Sequence, residues 1–191
     1  MKALPSQELL CQMFVYDAET GKLFRKALTA SHFARTKDPR GAQWAANNYN
    51  ASYEGREAFT FSDKNGYRNG KVFGVLYQAH RVIWKLVSGE DPIQIDHING
   101  NQGDNRLSNL RACSHAENSR NYSKKVLGSS QYRGVCWVKR DASWAARISD
   151  GRSGKISLGN YKSEIDAARA YDAAARRLHG AFATLNFPGE V

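Results

Sequence analysis

Residues 94–100 read Gln-Ile-Asp-His-Ile-Asn-Gly, and residues 104–111 read Asp-Asn-Arg-Leu-Ser-Asn-Leu-Arg. An acid and an imidazole stand side by side at Asp96 and His97, and side-chain amides follow at Asn109 and Asn118. Carboxylate and amide oxygens bind hard divalent cations, and a neutral imidazole accepts a proton at physiological pH. Together these groups predict a one-metal site for phosphodiester hydrolysis, where the ion neutralises developing charge and the imidazole deprotonates a water.

Residues from about 79 to 122 resemble the HNH, or His-Me finger, endonucleases, especially the phage and intron homing enzymes, through the order Asp96-His97, Asn109, Asn118. The resemblance implies a β-β-α unit holding one divalent ion, with Asp96 and Asn118 as its protein ligands and His97 as general base. Asn109 would hold the loop and the orientation of His97. So few protein ligands suit Mg²⁺ or Mn²⁺ rather than structural zinc. We therefore expect one Mg²⁺ or Mn²⁺ ion per active site.

The third position departs from the commonest family form, because Asn118 stands where many members have His. Asn is frequent there in the homing branch, so the resemblance assigns the chain to that branch. His115 is an alternative ligand, although the Ser114–Glu117 capping box starts a helix in a register that would expose it.

Two further residues near the motif have open roles. His80 also recurs in the family's pattern, but its place at the start of a helix favours a structural over a catalytic role. Among the nearby arginines, Arg106 ranks first as a phosphate contact.

The last sixty residues predict three antiparallel strands and a covering helix. Tyr132 to Val138, Ser143 to Ile148 and Lys155 to Leu158 are short runs separated by charged turns. Ser163 opens a helix that Gly180 can close, and a three-stranded sheet needs such a cover.

This segment resembles the Apetala and ethylene-response-factor (AP2/ERF) type of DNA-binding domain, from Tyr132-Arg133-Gly134-Val135 to Asn186-Phe187-Pro188. In that family the sheet lies in the major groove of double-stranded DNA, which admits a β-sheet reader. The predicted DNA contacts are Arg133, Arg147 and Lys155, with Trp137, Lys139 and Arg140 as compensating contacts, whereas Trp144 packs the sheet onto the helix. Cys136, Ser149 and Ser157 replace contacting residues of the plant proteins, so the resemblance does not carry a plant-type target sequence with it.

Bulk composition agrees with a nucleic-acid partner. The 191 residues include 28 Lys and Arg against 18 Asp and Glu, a net charge of +10, which favours a polyanion. No run of about 18 apolar residues exists, so we expect no membrane association, and no secretion signal is visible. Three scattered cysteines form no C-x-x-C pair, which argues against disulfides and a thiolate zinc site.

The N-terminal third is less regular. Met13 to Tyr16 and Lys22 to Arg25 predict a β-hairpin, Gly66 to Gln78 predicts strands, and His80 to Ser88 predicts a helix that ends at Gly89. Residues 26–65 are either a DNA-contacting extension or a long surface loop with one or two irregular strands.

We therefore expect an α+β chain. Residues 1–122 are predicted to form a ββα-metal (His-Me finger) nuclease domain with a β-rich N-terminal extension and a core at about 79–122. Residues 123–130 are predicted to be a linker, and residues 131–191 an AP2/ERF-like domain with a small three-stranded antiparallel sheet packed on one helix.

The predicted function is site-specific DNA cleavage of the homing or nicking type. One active site per chain favours a monomer, acting in the cytoplasm of a bacterial or phage-infected cell in association with the nucleoid. One alternative is a sequence-specific DNA-binding protein whose degenerate HNH unit does not cut. The other is an RNA-binding or structural phage protein whose metal only holds the fold.

Overall fold

The computed structural model describes residues 3–115, 117–118, 129–149 and 154–190. The chain divides into two compact units, Met1–Ala112 and Cys113–Val191, which are treated separately below. The predicted linker at 123–130 falls largely outside the described residues, so that boundary stays a prediction. Within the described ranges, no helix has the length and apolar character needed to cross a bilayer.

The first unit begins with a helix that leads directly into a β-hairpin. Helix α1, Gln7–Met13, starts where the Ser6 hydroxyl accepts the Leu9 N–H, and it is followed by strands β1, Phe14–Asp17, and β2, Lys22–Arg25. The two strands of the hairpin pair antiparallel, with Phe14 opposite Arg25 and Asp17 opposite Lys22, and β3, Glu57–Ala58, adds a third strand beside β2. The predicted hairpin is therefore confirmed, whereas α1 was not predicted.

Residues 26–65 contain a helix that the sequence pattern did not predict. Helix α2, Gly41–Tyr53, is anchored by Asn50, whose side-chain amide exchanges two hydrogen bonds of 2.8 and 2.9 Å with the backbone of Leu28. Tyr49 adds tilted ring contacts to Phe33 and Tyr53. Because these contacts depend on an amide and on rings rather than on a repeating apolar stripe, no helical period marks the segment.

A second small sheet precedes the motif. Strands β4, Phe61–Ser62, β5, Arg68–Val72, and β6, Val75–Gln78, pair antiparallel in that order, and helix α3, Ala79–Ser88, follows at once. As predicted, α3 ends at Gly89, which takes the left-handed conformation (φ 77°) that favours glycine.

One core holds the first unit together. Leu10, Leu23, Val72, Val82 and Ile83 are completely or almost completely buried. Burying such a side chain contributes about 1.5–3 kcal/mol. The core joins α1, the hairpin and α3, and it extends to Ile95 and Leu110 on the two strands that carry the motif, β7, Gln94–His97, and β8, Leu110–Cys113.

The second unit is a three-stranded sheet covered by one helix, as predicted. Strands β9, Val135–Val138, β10, Ser143–Ser149, and β11, Lys155–Tyr161, pair antiparallel with β10 in the centre, and helix α4, Glu164–His179, packs on one face. A β-bulge interrupts the β10–β11 register between Ala146 and Arg147. The architecture of the whole chain is α+β.

Small residues set how closely the helix covers this sheet. Ala146, Ala167, Ala168 and Ala175 are fully buried between helix and strands. Gly134 has φ 75°, and a Cβ there would overlap the ring of Tyr171. Only glycine therefore fits where the chain enters β9.

Candidate active site and basic sheet face

His97 ends strand β7 inside the first unit. Its side chain is only 3 % exposed, and its Nε2 lies 3.1 Å from the side-chain oxygen of Asn105. Burial, the largest influence, lowers the pKa of His97 below its usual 6.5, although the Asn105 bond and the Asp96 charge oppose the shift. The imidazole is therefore neutral at physiological pH, the state that a general base requires.

Asn109 organises the loop between the two motif strands. Its side-chain oxygen accepts the Asn99 N–H at 2.9 Å, and its side-chain nitrogen donates to the Asp104 carbonyl at 2.8 Å. Its own carbonyl accepts the Ile98 N–H at 2.9 Å. These bonds tie both ends of the loop to one residue, as predicted for the loop-holding part of its role.

The imidazole of His97 is held by the side chain of Asn105, and the orienting role that we predicted for Asn109 stays a prediction. Asn105 is 3 % exposed, so its amide is committed to the interior. From sequence we treated Asn105 as a turn residue only. The available signal was its position, because a side-chain amide that follows His97 by eight residues in a tight loop can fold back onto the imidazole.

Asp96 lies beside His97 and is paired with Arg111 on the neighbouring strand. The Asp96 Oδ2 accepts two N–H bonds from the guanidinium, at 2.6 and 2.9 Å, and the two side chains are 7 % and 16 % exposed. This close and largely buried ion pair offsets the charge of the carboxylate. Arg111 is not one of the site residues that we predicted from sequence.

The donor chemistry around Asp96 fits a hard divalent cation. A carboxylate oxygen is the ligand that Mg²⁺ and Mn²⁺ prefer, and few protein ligands are needed. A cation at Asp96 would share the carboxylate with Arg111, whose positive charge opposes its binding. Among the described residues, no cluster of three His, Cys, Asp or Glu side chains could hold a metal by itself.

Asn118, the predicted second ligand, belongs to the second unit. Its backbone N–H donates to the Ser114 carbonyl at 3.0 Å. The capping box that we predicted is present: the Ser114 hydroxyl accepts from the Glu117 N–H, and the Glu117 carboxylate accepts from the Ser114 N–H at 2.8 Å. His115, the alternative ligand, is exposed on this turn, as its register predicted.

Arg106 forms an exposed ion pair with Asp104. Its guanidinium makes two bonds to that carboxylate, at 2.8 and 2.5 Å, and half of its side chain is exposed. This pairing is the main reason that the pKa of Asp104 lies well below its usual range. Arg106 therefore sits at the rim of the motif loop, where a phosphate contact remains a prediction.

The imidazole of His80 packs against that of His97. The ring of His80 meets that of His97 edge-on at 5.1 Å, and Tyr67 lies 5.4 Å from the former and 5.9 Å from the latter. Burial, followed by the charges of His97 and Arg81, lowers the pKa of His80 to about 3. Its Nδ1 has no hydrogen-bond partner among the described residues. His80 thus packs against the imidazole of His97 as a neutral ring, which agrees with the structural role that we favoured.

In the second unit, two of the predicted DNA contacts lie on the sheet face away from the helix. Arg147 and Lys155 are exposed, and they neighbour each other across the β10–β11 pair through the partners Arg147–Ser157 and Ser149–Lys155. This face carries two cations among small polar side chains. Such a surface suits contact with a phosphate backbone.

The other predicted contacts are placed differently. Trp137 pairs in register with Trp144, their rings meet at 5.0 Å, and both lie on the side of the sheet that buries Val135. Trp137 therefore packs on Trp144 and stays 37 % exposed, and its contact with DNA remains a prediction. Lys139 and Arg140 form the exposed turn between β9 and β10, where Arg140 pairs with Asp141.

Both the backbone and the side chain of Arg133 make contacts within the second unit. Its backbone N–H and carbonyl bond the side-chain amide of Asn186, and its side chain interacts with the hydroxyl of Tyr171. Asn186 in turn is fixed by Asp172 on the helix. The guanidinium of Arg133 is thus partly engaged within the unit, and its contact with DNA remains a prediction.

Comparison with known proteins matches the two units to two families. The sequence model of the HNH endonuclease family matches residues 77–120, and that of the AP2 domain matches residues 130–181. The chain is 34 % identical over 126 residues to an uncharacterized HNH endonuclease of Acanthamoeba polyphaga mimivirus, with 64 % of each chain covered. It is 29 % identical over 118 residues to Protein 3.8 of Escherichia phage T7, covering 59 % of this chain and 96 % of that protein.

The AP2 match has a higher sequence identity over a shorter stretch of the chain. An AP2/ERF and B3 domain-containing protein of Oryza sativa subsp. japonica is 44 % identical over 61 residues, which cover 32 % of this chain and 16 % of that protein. The chain thus spans less than two thirds of the mimivirus protein and a small part of the rice protein. Within this one chain, residues 77–120 are a segment of the HNH endonuclease family and residues 130–181 are an AP2 domain.

Proposed function

We propose that this chain is a site-specific DNA endonuclease of the homing or nicking type, in which His97 is the general base. The observation that carries the proposal is the buried, neutral imidazole of His97, held by Asn105 beside the carboxylate of Asp96, within a segment of the HNH endonuclease family. The AP2 domain supports double-stranded DNA as the substrate. We further propose that the chain acts as a monomer.

The hydrogen bond to Asn105 assigns the protons of His97. An amide oxygen only accepts, so Nε2 carries the hydrogen and Nδ1 carries the basic lone pair. In this tautomer Nδ1 takes the proton from the attacking water, while Asn105 stabilises the imidazolium that forms. The arrangement resembles an oriented base, in which the second partner fixes both the ring and its tautomer.

Asp96 is the ligand that the first unit offers to a divalent ion, and Asn118 remains the predicted second ligand. When bound, Mg²⁺ or Mn²⁺ would stabilise the charge that develops on the phosphate and on the leaving oxygen. The exposed face around Arg147 and Lys155 would contact the phosphate backbone and set the position of the chain on its target.

Cleavage of supercoiled plasmid carrying a library of genomic sites tests the proposal. Wild-type chain is compared with His97→Ala in Mg²⁺, in Mn²⁺ and in EDTA, and His32→Ala is the matched control, because His32 is a partly exposed imidazole of the same unit. Loss of a general base lowers the rate by about 100- to 10,000-fold. We expect metal-dependent nicking by wild type and His32→Ala only. Equal cutting by His97→Ala would refute the role of His97.

A second candidate function is DNA binding without cleavage. The observation that favours it is the Arg111 guanidinium, which occupies the carboxylate that a metal would need. If wild type shifts DNA in a gel but leaves every plasmid supercoiled in both metals, this binding function replaces the nuclease.

A further inference from the structure

We propose that the β1–β2 hairpin positions the catalytic loop, with Tyr16 as a positioning residue that acts on His97 through Asn105. The inference rests on the proposed nuclease function. It gives residues 14–25 a role that the sequence did not indicate, since they precede the motif by some seventy residues and lie outside the matched family segment.

The hydroxyl of Tyr16 makes two hydrogen bonds to the loop backbone. It donates to the carbonyl of Asn105 at 3.2 Å and accepts the N–H of Leu107 at 2.8 Å. The two bonds fall on either side of Arg106, so one phenol fixes both peptide groups that follow Asn105. Burial is the largest influence on this phenol and raises its pKa, which keeps it protonated and able to donate.

A single residue, Asn105, connects Tyr16 to His97. The backbone of Asn105 receives the Tyr16 bond, and its side chain makes the 3.1 Å contact with His97 Nε2. Asn105 is almost fully buried, so its side chain follows its backbone rather than reorienting in solvent. Displacement of the backbone at Asn105 therefore displaces the group that orients the imidazole.

The tip of the hairpin touches the same loop independently. Gly21 has φ 72°, and a Cβ at this position would stand 2.5 Å from the backbone nitrogen of Arg106 and 2.7 Å from the carbonyl carbon of Asn105. Backbone thus packs directly on backbone, at a distance that no side chain permits. The turn is itself ordered by Asp17, whose carboxylate accepts the Glu19 N–H at 3.0 Å and the Thr20 hydroxyl at 2.6 Å.

The hairpin is anchored by the face that carries Tyr16, because Leu23 pairs with Tyr16 across the two strands and Phe14 lies two residues before it, and both pack in the core. Phe14 and Leu23 are 2 % and 1 % exposed. The loop, in contrast, is shaped mainly by polar contacts among Asn99, Asp104 and Asn109. The loop therefore takes part of its position from the hairpin rather than from apolar packing of its own.

Tyr16→Phe removes both bonds and keeps the ring. A displacement of about 1 Å at a reacting group can cost about 100-fold in rate. We expect the single-turnover cleavage rate at saturating chain to fall by about 10- to 100-fold. The Kd for DNA measured in EDTA should change much less than the rate, because Arg106 is the one predicted DNA contact on this loop and the others lie in the second unit.

The matched control is Tyr77→Phe. The Tyr77 hydroxyl donates to the Ala3 carbonyl at 3.1 Å, so this change also deletes one phenolic oxygen from the first unit but leaves the loop alone. Amide hydrogen exchange of Leu107 gives a readout that does not depend on activity. We expect faster exchange in Tyr16→Phe than in wild type and Tyr77→Phe, with equal melting temperatures for the two variants.

Gly21→Ala provides a second, independent variant with the same expectation for rate and exchange. Equal rates for Tyr16→Phe and Tyr77→Phe, or unchanged exchange at Leu107, overturn the positioning role. If wild type cuts no DNA, the proposed nuclease function fails instead, and the exchange of Leu107 alone then decides whether the hairpin orders the loop.

Discussion

Arg111→Met would show how much the Asp96–Arg111 pair contributes to the free energy of unfolding, and whether Arg111 competes with a metal ion for Asp96. Removing one partner of a buried ion pair costs about 3–5 kcal/mol, because the remaining charge is left uncompensated. Two unit charges about 4 Å apart at an effective dielectric constant of about 20 interact by about 4 kcal/mol, which agrees. We therefore expect a loss of about 3–5 kcal/mol.

The assay is urea unfolding of the full chain in EDTA, followed by hydrogen exchange of peptides from the first unit, because two units can unfold separately. Arg81→Met is the matched control: its partner Asp91 is 34 % exposed, so a smaller loss is expected. The double variant Asp96→Asn/Arg111→Met should recover much of the stability, because no charge remains unpaired. Additive losses in this cycle, or a loss no larger than that of Arg81→Met, would refute the reasoning.

The same variant reports on metal binding. With the guanidinium gone, the carboxylate of Asp96 is available to a cation, so Mg²⁺ should stabilise Arg111→Met more than it stabilises wild type. Each tenfold excess of ion over its Kd adds about 1.4 kcal/mol. Equal stabilisation of both proteins by Mg²⁺ would exclude Asp96 as the ligand.

Three further perturbations test other parts of the structure. Asp172→Ala should destabilise the second unit by about 3 kcal/mol in urea unfolding, because this buried carboxylate accepts three hydrogen bonds from the C-terminal tail; an unchanged midpoint would contradict it. Burial lowers the folded pKa of His97 below 6.5, so the protein has the stability contributed by neutral His97 above pH 6.5 and loses it as pH falls through the folded pKa. The cleavage rate should therefore decline on the acid side only below pH 6.5. A decline that begins above pH 6.5 would contradict the effect of burial on His97. His80, with a pKa of about 3, should extend the loss of stability down to about that pH. Arg147→Ala should reduce the slope of log affinity for DNA against log salt concentration by about 0.9 for each phosphate that Arg147 neutralises, whereas Arg177→Ala on the exposed side of α4 should leave the slope unchanged.

The elements that could be predicted from sequence are those with local signals. Helix α3 has an apolar period and a glycine stop at Gly89, and α4 begins at the Ser163 cap, whose hydroxyl accepts the Asp166 N–H. In the sequence, short charged segments separate the runs that form the three C-terminal strands. Each of these signals acts within a few residues, so it is visible in the chain before folding.

The contacts that could not be predicted join residues distant in sequence or rely on side-chain amides. Helix α2 depends on the bonds between Asn50 and Leu28, which no periodicity reveals. The pair of Asp96 and Arg111 forms only because β7 and β8 lie side by side. In the motif itself, the contact of His97 with Asn105 depends on how the loop folds back.

The contact between the β1–β2 hairpin and the motif loop has a consequence for transferring the proposed nuclease segment into other proteins. The segment that matches the HNH endonuclease family, residues 77–120, does not include Tyr16, Gly21 or the core residues Leu10 and Leu23. A fusion built on that segment alone would carry the residues of the motif without the support beneath their loop. A segment transferred to another protein should therefore begin before Ser6, and it is longer than the segment that matches the family in sequence.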